Sequence, residues 1–296
     1  MSYKSINPES IHLPLSAKVS LTYMGNTCEI KYMEHRNSSA HTTRLSKEEY
    51  MVNSTGEIKQ YATQKSKNRK EASNSLMKTF QNLRRLIMTN VTDNKMVRWV
   101  TLTYAENMQD PRQIYNDFRK FIMRFHTYCG SFEYIACLEP QGRGAFHWHC
   151  LFIFTDQPAP FIPNCDLEKI WRHGFVKITS LKSADNVASY LCSYLTNAEI
   201  SPDFDSYFDP KEIIKTTSGS KQHHYVKNSR LNMYPPYLNI VRHSRGIKQP
   251  LIQQMSLKEA LEKVNGMSIK YQSCGIFSDN KGFSTLIKKV EYQKKN

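Results

Sequence analysis

The sequence predicts an α+β fold, an antiparallel β-sheet with helices packed on it. Three observations predict it. Runs rich in β-branched and aromatic residues at 96–104, 132–138 and 146–154 read as strands. Between and after them, apolar residues recur at helical spacing. The 141–144 stretch, QGRG, is turn chemistry that joins two of the strands as a hairpin.

The chain has 296 residues, enough for one large domain or for a core with substantial extensions. Its 40% apolar content argues for a folded chain. The net charge of +15 calls for a polyanionic partner, and nucleic acid is the simplest one. Neither an amphipathic membrane anchor, a leader segment nor a membrane-length apolar run is read, so no membrane role is expected. Seven cysteines are scattered with no C-x-x-C pair, which suits reduced thiols in a cytoplasm rather than a zinc cluster or a disulfide framework.

Residues 1–95 read as a basic N-terminal extension. Within 1–60 only Ile30 and Tyr32 hint at a strand. Further on, Leu76, Phe80, Leu83 and Ile87 form a helical stripe. Around it lie Lys65, Lys67, Arg69, Lys70, Lys78, Arg84 and Arg85. This cluster is either a solvated helix face or a set of phosphate contacts, the second favoured by its uniform sign.

Residues 96–200 carry the expected core. Met96 to Tyr104 is a strand, and Asp110 with Pro111 starts a helix whose stripe, Ile114, Phe118, Phe121, Ile122 and Phe125, ends near Gly130. Two strands follow, then a helix at 166–171, a strand at 174–179 and a helix at about 186–196 capped from 183–186. The order β-α-β-β-α-β-α fits the ferredoxin-like or RRM-like class.

The stretch with most chemistry is 139–154, EPQGRGAFHWHCLFIF. In a strand, His147 and His149 share one face, while Phe146, Trp148, Cys150, Phe152 and Phe154 share the other. A hairpin centred near Arg143 pairs Glu139 with His147, Leu138 with Trp148 and Tyr134 with Phe152. One carboxylate and two imidazoles then meet on one patch, a donor set suited to Mg²⁺ or Mn²⁺. On the last helix Tyr190 and Tyr194 stand one turn apart. They either pack, or present a hydroxyl able to attack a metal-polarised phosphodiester.

Three motifs, WVTLTY at 99–104, Glu139 with 142–149 (GRGAFHWH), and YLCSYLT at 190–196, resemble in type and order those of the HUH endonucleases. The likeness is to rolling-circle replication initiation (Rep) proteins of bacterial plasmids, phages and mobile elements, and it spans roughly 65–245. The resemblance implies that His147, His149 and Glu139 bind one divalent metal. It also implies that Tyr190 or Tyr194 cleaves single-stranded or hairpin origin DNA, leaving a 5′-phosphotyrosyl link and a primer 3′-OH. Ser193 and Asn197 stand where the third motif often has lysine, which leaves the order of the two tyrosines open. A host helicase and DNA polymerase in a bacterial cytoplasm would be the further partners, since the chain has no P-loop GxxxxGK[ST].

Residues 201–296 read as a linker (201–222) followed by a basic C-terminal DNA-binding extension. Arg230, Arg242 and Arg245 are interleaved with Tyr225, Tyr234 and Tyr237, a mixture that suits unpaired bases and their backbone, or an ordinary basic surface. Arg143 in the hairpin turn is a further DNA contact. His223 and His224 are adjacent, so they are read as surface or DNA-facing residues and not as a metal pair. The expectation is a metal-dependent nicking-joining enzyme that starts rolling-circle replication. Alternatives are a relaxase or single-strand transposase with the same chemistry, and a non-catalytic RRM-like binder of single-stranded nucleic acid.

Overall fold

The computed structural model describes residues 2–35, 42–61, 73–142, 144–181, 188, 197–200, 211, 213–218, 221–226, 229–235, 238–278 and 283–295. It is α+β, with antiparallel sheets and, among the described residues, four α-helices. From the N-terminus run β1 (Ser2–Ile6), β2 (Lys18–Met24), β3 (Thr27–Met33), β4 (Thr42–Arg44), β5 (Glu49–Val52) and β6 (Ile58–Gln60). Then come α1 (Ser73–Asn90), β7 (Val97–Thr103), α2 (Pro111–Cys129), β8 (Glu133–Pro140), β9 (Phe146–Ile153), α3 (Asn164–Trp171) and β10 (Val176–Ser180). The rest comprises β11 (Ala198–Ile200), β12 (Ile213–Ser218), β13 (Lys221–Val226), β14 (Val241–His243), β15 (Leu251–Ser256), α4 (Leu257–Lys263), β16 (Ser268–Ser278) and β17 (Ser284–Gln293).

Two compact units result, one of residues 1–65 with 250–296, the other of residues 66–249. The expected boundaries at 95/96 and 200/201 both fall inside the second unit. In the first unit the two ends of the chain share a six-stranded sheet ordered β1-β16-β17-β3-β2-β15. Its core is Val19, Leu21, Cys28 and Ile30 against Ala260 and Val264 of the α4 segment. Each strand hides one side only, so its sequence mixes polar and apolar residues and resembles loop.

The second unit holds a five-stranded antiparallel sheet, β10-β7-β9-β8-β14. Helix α2 starts where expected: the Asp110 carboxylate accepts from Arg112 N at 2.9 Å, Pro111 occupies the first turn, and Gly130 ends it at φ 77°. Its stripe, Ile114, Phe118, Phe121 and Phe125, is buried. Phe118 stacks on Trp148 at 4.3 Å between centroids, and Phe125 packs on Phe152 at 4.7 Å. Fully burying such side chains stabilises by about 1.5–3 kcal/mol each. Trp171 of α3 meets Phe121 at 5.8 Å and donates from Nε1 to Thr103 O at 3.1 Å. Both helices thus cover the face of β9 opposite its histidines.

Two expectations are corrected here. The supposed linker at 201–222 contains β12 and the start of β13, which pair with each other, as β13 does with β11. Threonine, lysine and serine in β12 read as loop, yet β-branched residues are at home in an edge strand. His224 is not at the surface. It is 4% exposed, while His223 is only half-buried, because neighbours on a strand point to opposite faces. The expected helix at 186–196 lies outside the described residues except for Ala188.

Candidate metal centre

The hairpin of β8 and β9 has the expected register: Glu139 pairs with His147, Leu138 with Trp148, and Tyr134 with Phe152. Alternation and a short turn fix it, since a slip of one residue would turn the aromatic set away from α2. On its other side β9 pairs with β7, placing Thr103 beside His147 and Thr101 beside His149. One face of the sheet therefore presents Thr103, His147 and Glu139 in one row, and Thr101, His149 and Cys137 in the next.

The ligand atoms of Glu139, His147 and His149 all lie within 4.8 Å of one another. Glu139 Oε2 is 2.8 Å from His147 Nε2 and 2.5 Å from His149 Nε2. Exposure of these side chains is 0%, 10% and 6% in that order of residues. Burial pushes the His147 pKa down to about 4, and burial followed by the nearby His147 pushes that of His149 well below the usual imidazole value. Both imidazoles are therefore neutral at pH 7. Their contacts with Glu139 are hydrogen bonds, not ion pairs.

The countercharge of Glu139 comes from Arg230, whose Nη1 ion-pairs with Oε1. The same guanidinium donates to Pro140 O at 3.0 Å and, through Nε, to Asn197 O at 2.8 Å. The carboxylate is thus divided, with one oxygen on the guanidinium and the other on the imidazoles. Thr101 Oγ1 is 3.3 Å from His149 Nδ1. When the hydroxyl accepts from Nδ1–H, the Nε2 lone pair faces the carboxylate, the orientation of a metal-binding histidine. His147 Nδ1 is buried with no hydrogen-bond partner among the described residues. One carboxylate oxygen and two neutral nitrogens converging on one point fit a divalent cation. Beside them, over β7 and β10, opens a cavity of about 470 Å³ lined by Trp99, Thr101, Thr103, Gln141, Phe175 and Lys177 among others.

Of the other sequence candidates, Tyr190, Tyr194, Arg143, Lys65, Lys67, Arg69 and Lys70 lie outside the described residues. Arg84 and Arg85 sit half-buried on α1. Arg242 lays its guanidinium over the Tyr115 ring, 3.9 Å from the centroid, and Arg245 is exposed just after β14. None of these four lines the cavity. Arg230, expected to face DNA, is placed on Glu139 instead. Sequence reasoning missed that role and the flanking pair of Thr101 and Thr103. The alternation of Trp99, Thr101 and Thr103 in WVTLTY was the available signal for the threonines. Nothing local marks Arg230.

Among the described residues no helix is long and apolar enough to cross a membrane. A family model of replication-associated proteins, the ORF2 group, matches residues 97–199, a span that includes the centre and about a third of the chain. No curated protein and no solved structure matches the chain significantly. The family match points to DNA replication as the setting in which this centre works.

Proposed function

We propose that the protein is a metal-dependent, site-specific DNA nicking-joining enzyme that initiates rolling-circle replication, an HUH endonuclease in its chemistry. The observation that carries this reading is the Glu139 carboxylate bridging two neutral imidazoles within a replication-family segment. Strand order supports it too. Strands β10-β7-β9-β8 follow the split β-α-β-β-α-β pattern of ferredoxin-like sheets. The net charge of +15 suits a nucleic-acid substrate.

Glu139, His147 and His149 would hold Mg²⁺ or Mn²⁺, which when bound supplies Lewis acidity toward a phosphodiester oxygen. Arg230 keeps Glu139 ionised and turned so that one oxygen faces the histidines. Thr101 holds the tautomer of His149. The hydroxyl of Tyr190 or Tyr194 is the nucleophile: its oxygen bonds to phosphorus, the bond to the 3′ oxygen breaks, and the 3′-hydroxyl leaves carrying a proton. The 5′-phosphotyrosyl bond retains the energy of the phosphodiester, so reversal rejoins the strand without ATP. Single-stranded or hairpin origin DNA is the substrate, with a host helicase and polymerase acting downstream. The match to a replication family favours initiation over a relaxase or transposase role.

Incubation with single-stranded DNA and Mn²⁺, then denaturing electrophoresis, tests this. A DNA-linked protein band that is lost in H147A and in the Y190F/Y194F double variant is expected. Its absence across a library of origin-like hairpins would leave a nucleic-acid binder without the chemistry.

A further inference from the structure

The face that carries the histidines continues past them onto β7 and β10. Thr103 N donates to Phe175 O at 2.8 Å, Lys177 pairs with Thr101, and Thr179 pairs with Trp99. Alternation puts Phe175, Lys177 and Thr179 on that same face as Trp99, Thr101 and Thr103. All six line the cavity of about 470 Å³ that also includes His147 and His149. Phe175 is 69% exposed, unusual for a phenylalanine on a sheet face whose neighbours are polar. Trp99 sits edge-on to His149, with ring centroids 6.0 Å apart. Two aromatic rings, one ammonium and a row of hydroxyls thus flank the metal donors on their open side.

We propose that this cleft is a subsite for an unpaired nucleobase of the strand whose phosphate lies at the metal centre. The base stacks on Phe175 and meets Trp99 at its edge, Lys177 neutralises the adjoining phosphate, and the hydroxyls of Thr101 and Thr179 contact the polar rim of the base. Three features select this occupant. The cavity has the volume of a small-ligand site. Exposed aromatics beside a cation suit bases, every one of which has a π-face. The cleft is also continuous with donors that suit a phosphate-binding metal. A duplex conceals its base faces, so the strand must be unpaired. The inference rests on the metal–phosphate reading of the centre, but its test needs no cleavage.

The probe is fluorescein-labelled dT20 bound to the full chain without metal, followed by anisotropy, with a second dT20 carrying one 2-aminopurine. Phe175→Ala is expected to weaken binding roughly tenfold at unchanged salt dependence, and to abolish quenching of the 2-aminopurine. Phe175→Trp restores both. Lys177→Ala lowers the slope of log K against log salt by about 0.7. Both variants keep the wild-type melting temperature. Unchanged affinity and quenching in Phe175→Ala would overturn the subsite, as would equal competition by a 20-base-pair duplex. If these binding results appear while no protein–DNA adduct ever forms, the subsite stands and the nicking reading falls. If adducts form and Phe175→Ala binds and cleaves like wild type, the reverse holds.

Discussion

Two buried acidic clusters, one in each unit, differ in what surrounds them. In the terminal sheet Glu29 and Glu291 pair across β3 and β17, each 2% exposed, and share the Lys289 ammonium at 2.8 and 3.2 Å. In the central sheet Glu139 gives one oxygen to Arg230 and the other to two histidines. Both clusters satisfy the rule that a buried carboxylate needs a countercharge. Only the second adds neutral nitrogen donors aimed at one oxygen. Such donors do nothing to balance charge, so their convergence is useful only to a cation that arrives from outside. Burial of an acid marks neither cluster as a site; the accompanying lone pairs do.

Breaking each ion cluster sharpens the contrast most. Lys289→Met and Arg230→Met each leave buried carboxylate without its partner and should cost about 3–5 kcal/mol, read by denaturant unfolding. The two then diverge on adding Mn²⁺. The Arg230 variant gains more melting temperature than wild type, because the ion replaces the missing charge, whereas the Lys289 variant gains no more than wild type. Equal responses would erase the distinction between the clusters.

Next in size, His149→Ala should lower adduct formation roughly 10²–10³-fold, equivalent to about 3–4 kcal/mol of lost stabilisation. Gel quantification at saturating DNA measures it. The metal-free protein should also respond to acid. The folded-state pKa of His147, about 4, lies below its unfolded value near 6.5, so the unfolded chain binds the proton first. Its contribution is present above pH 6.5 and is lost as pH falls towards 4, by about 3 kcal/mol at most. His149, shifted in the same direction, steepens that loss. Urea midpoints at pH 7 and pH 4.5 check it, and His147→Gln should flatten the curve. The smallest effect belongs to Thr101→Val, which removes the hydroxyl from His149 Nδ1 and should weaken Mn²⁺ binding about tenfold. Calorimetric titration reads it.

The hairpin and α2 could be read from sequence because their signals are local. Turn residues and strict alternation fix the Glu139–His147 register, and Asp110, Pro111 and Gly130 mark the ends of α2. Arg230 could not be read this way. It reaches Glu139 from a far-downstream segment, through a contact that no periodicity encodes. The six-stranded sheet was hidden for the same reason. Its strands come from both chain ends, and a one-sided sheet of short mixed strands leaves little trace in composition. The linker reading of 201–222 failed because the β12–β13 pairing supplies order that its polar residues do not announce.

The central claim is that Glu139, His147 and His149 hold a divalent cation. Electron paramagnetic resonance of Mn²⁺ titrated into the full chain tests it most directly. The expected result is one tightly bound ion per chain, lost in His149→Ala and retained in Lys289→Met. An ion count that does not change in His149→Ala, or no bound ion in the wild-type protein, would contradict it.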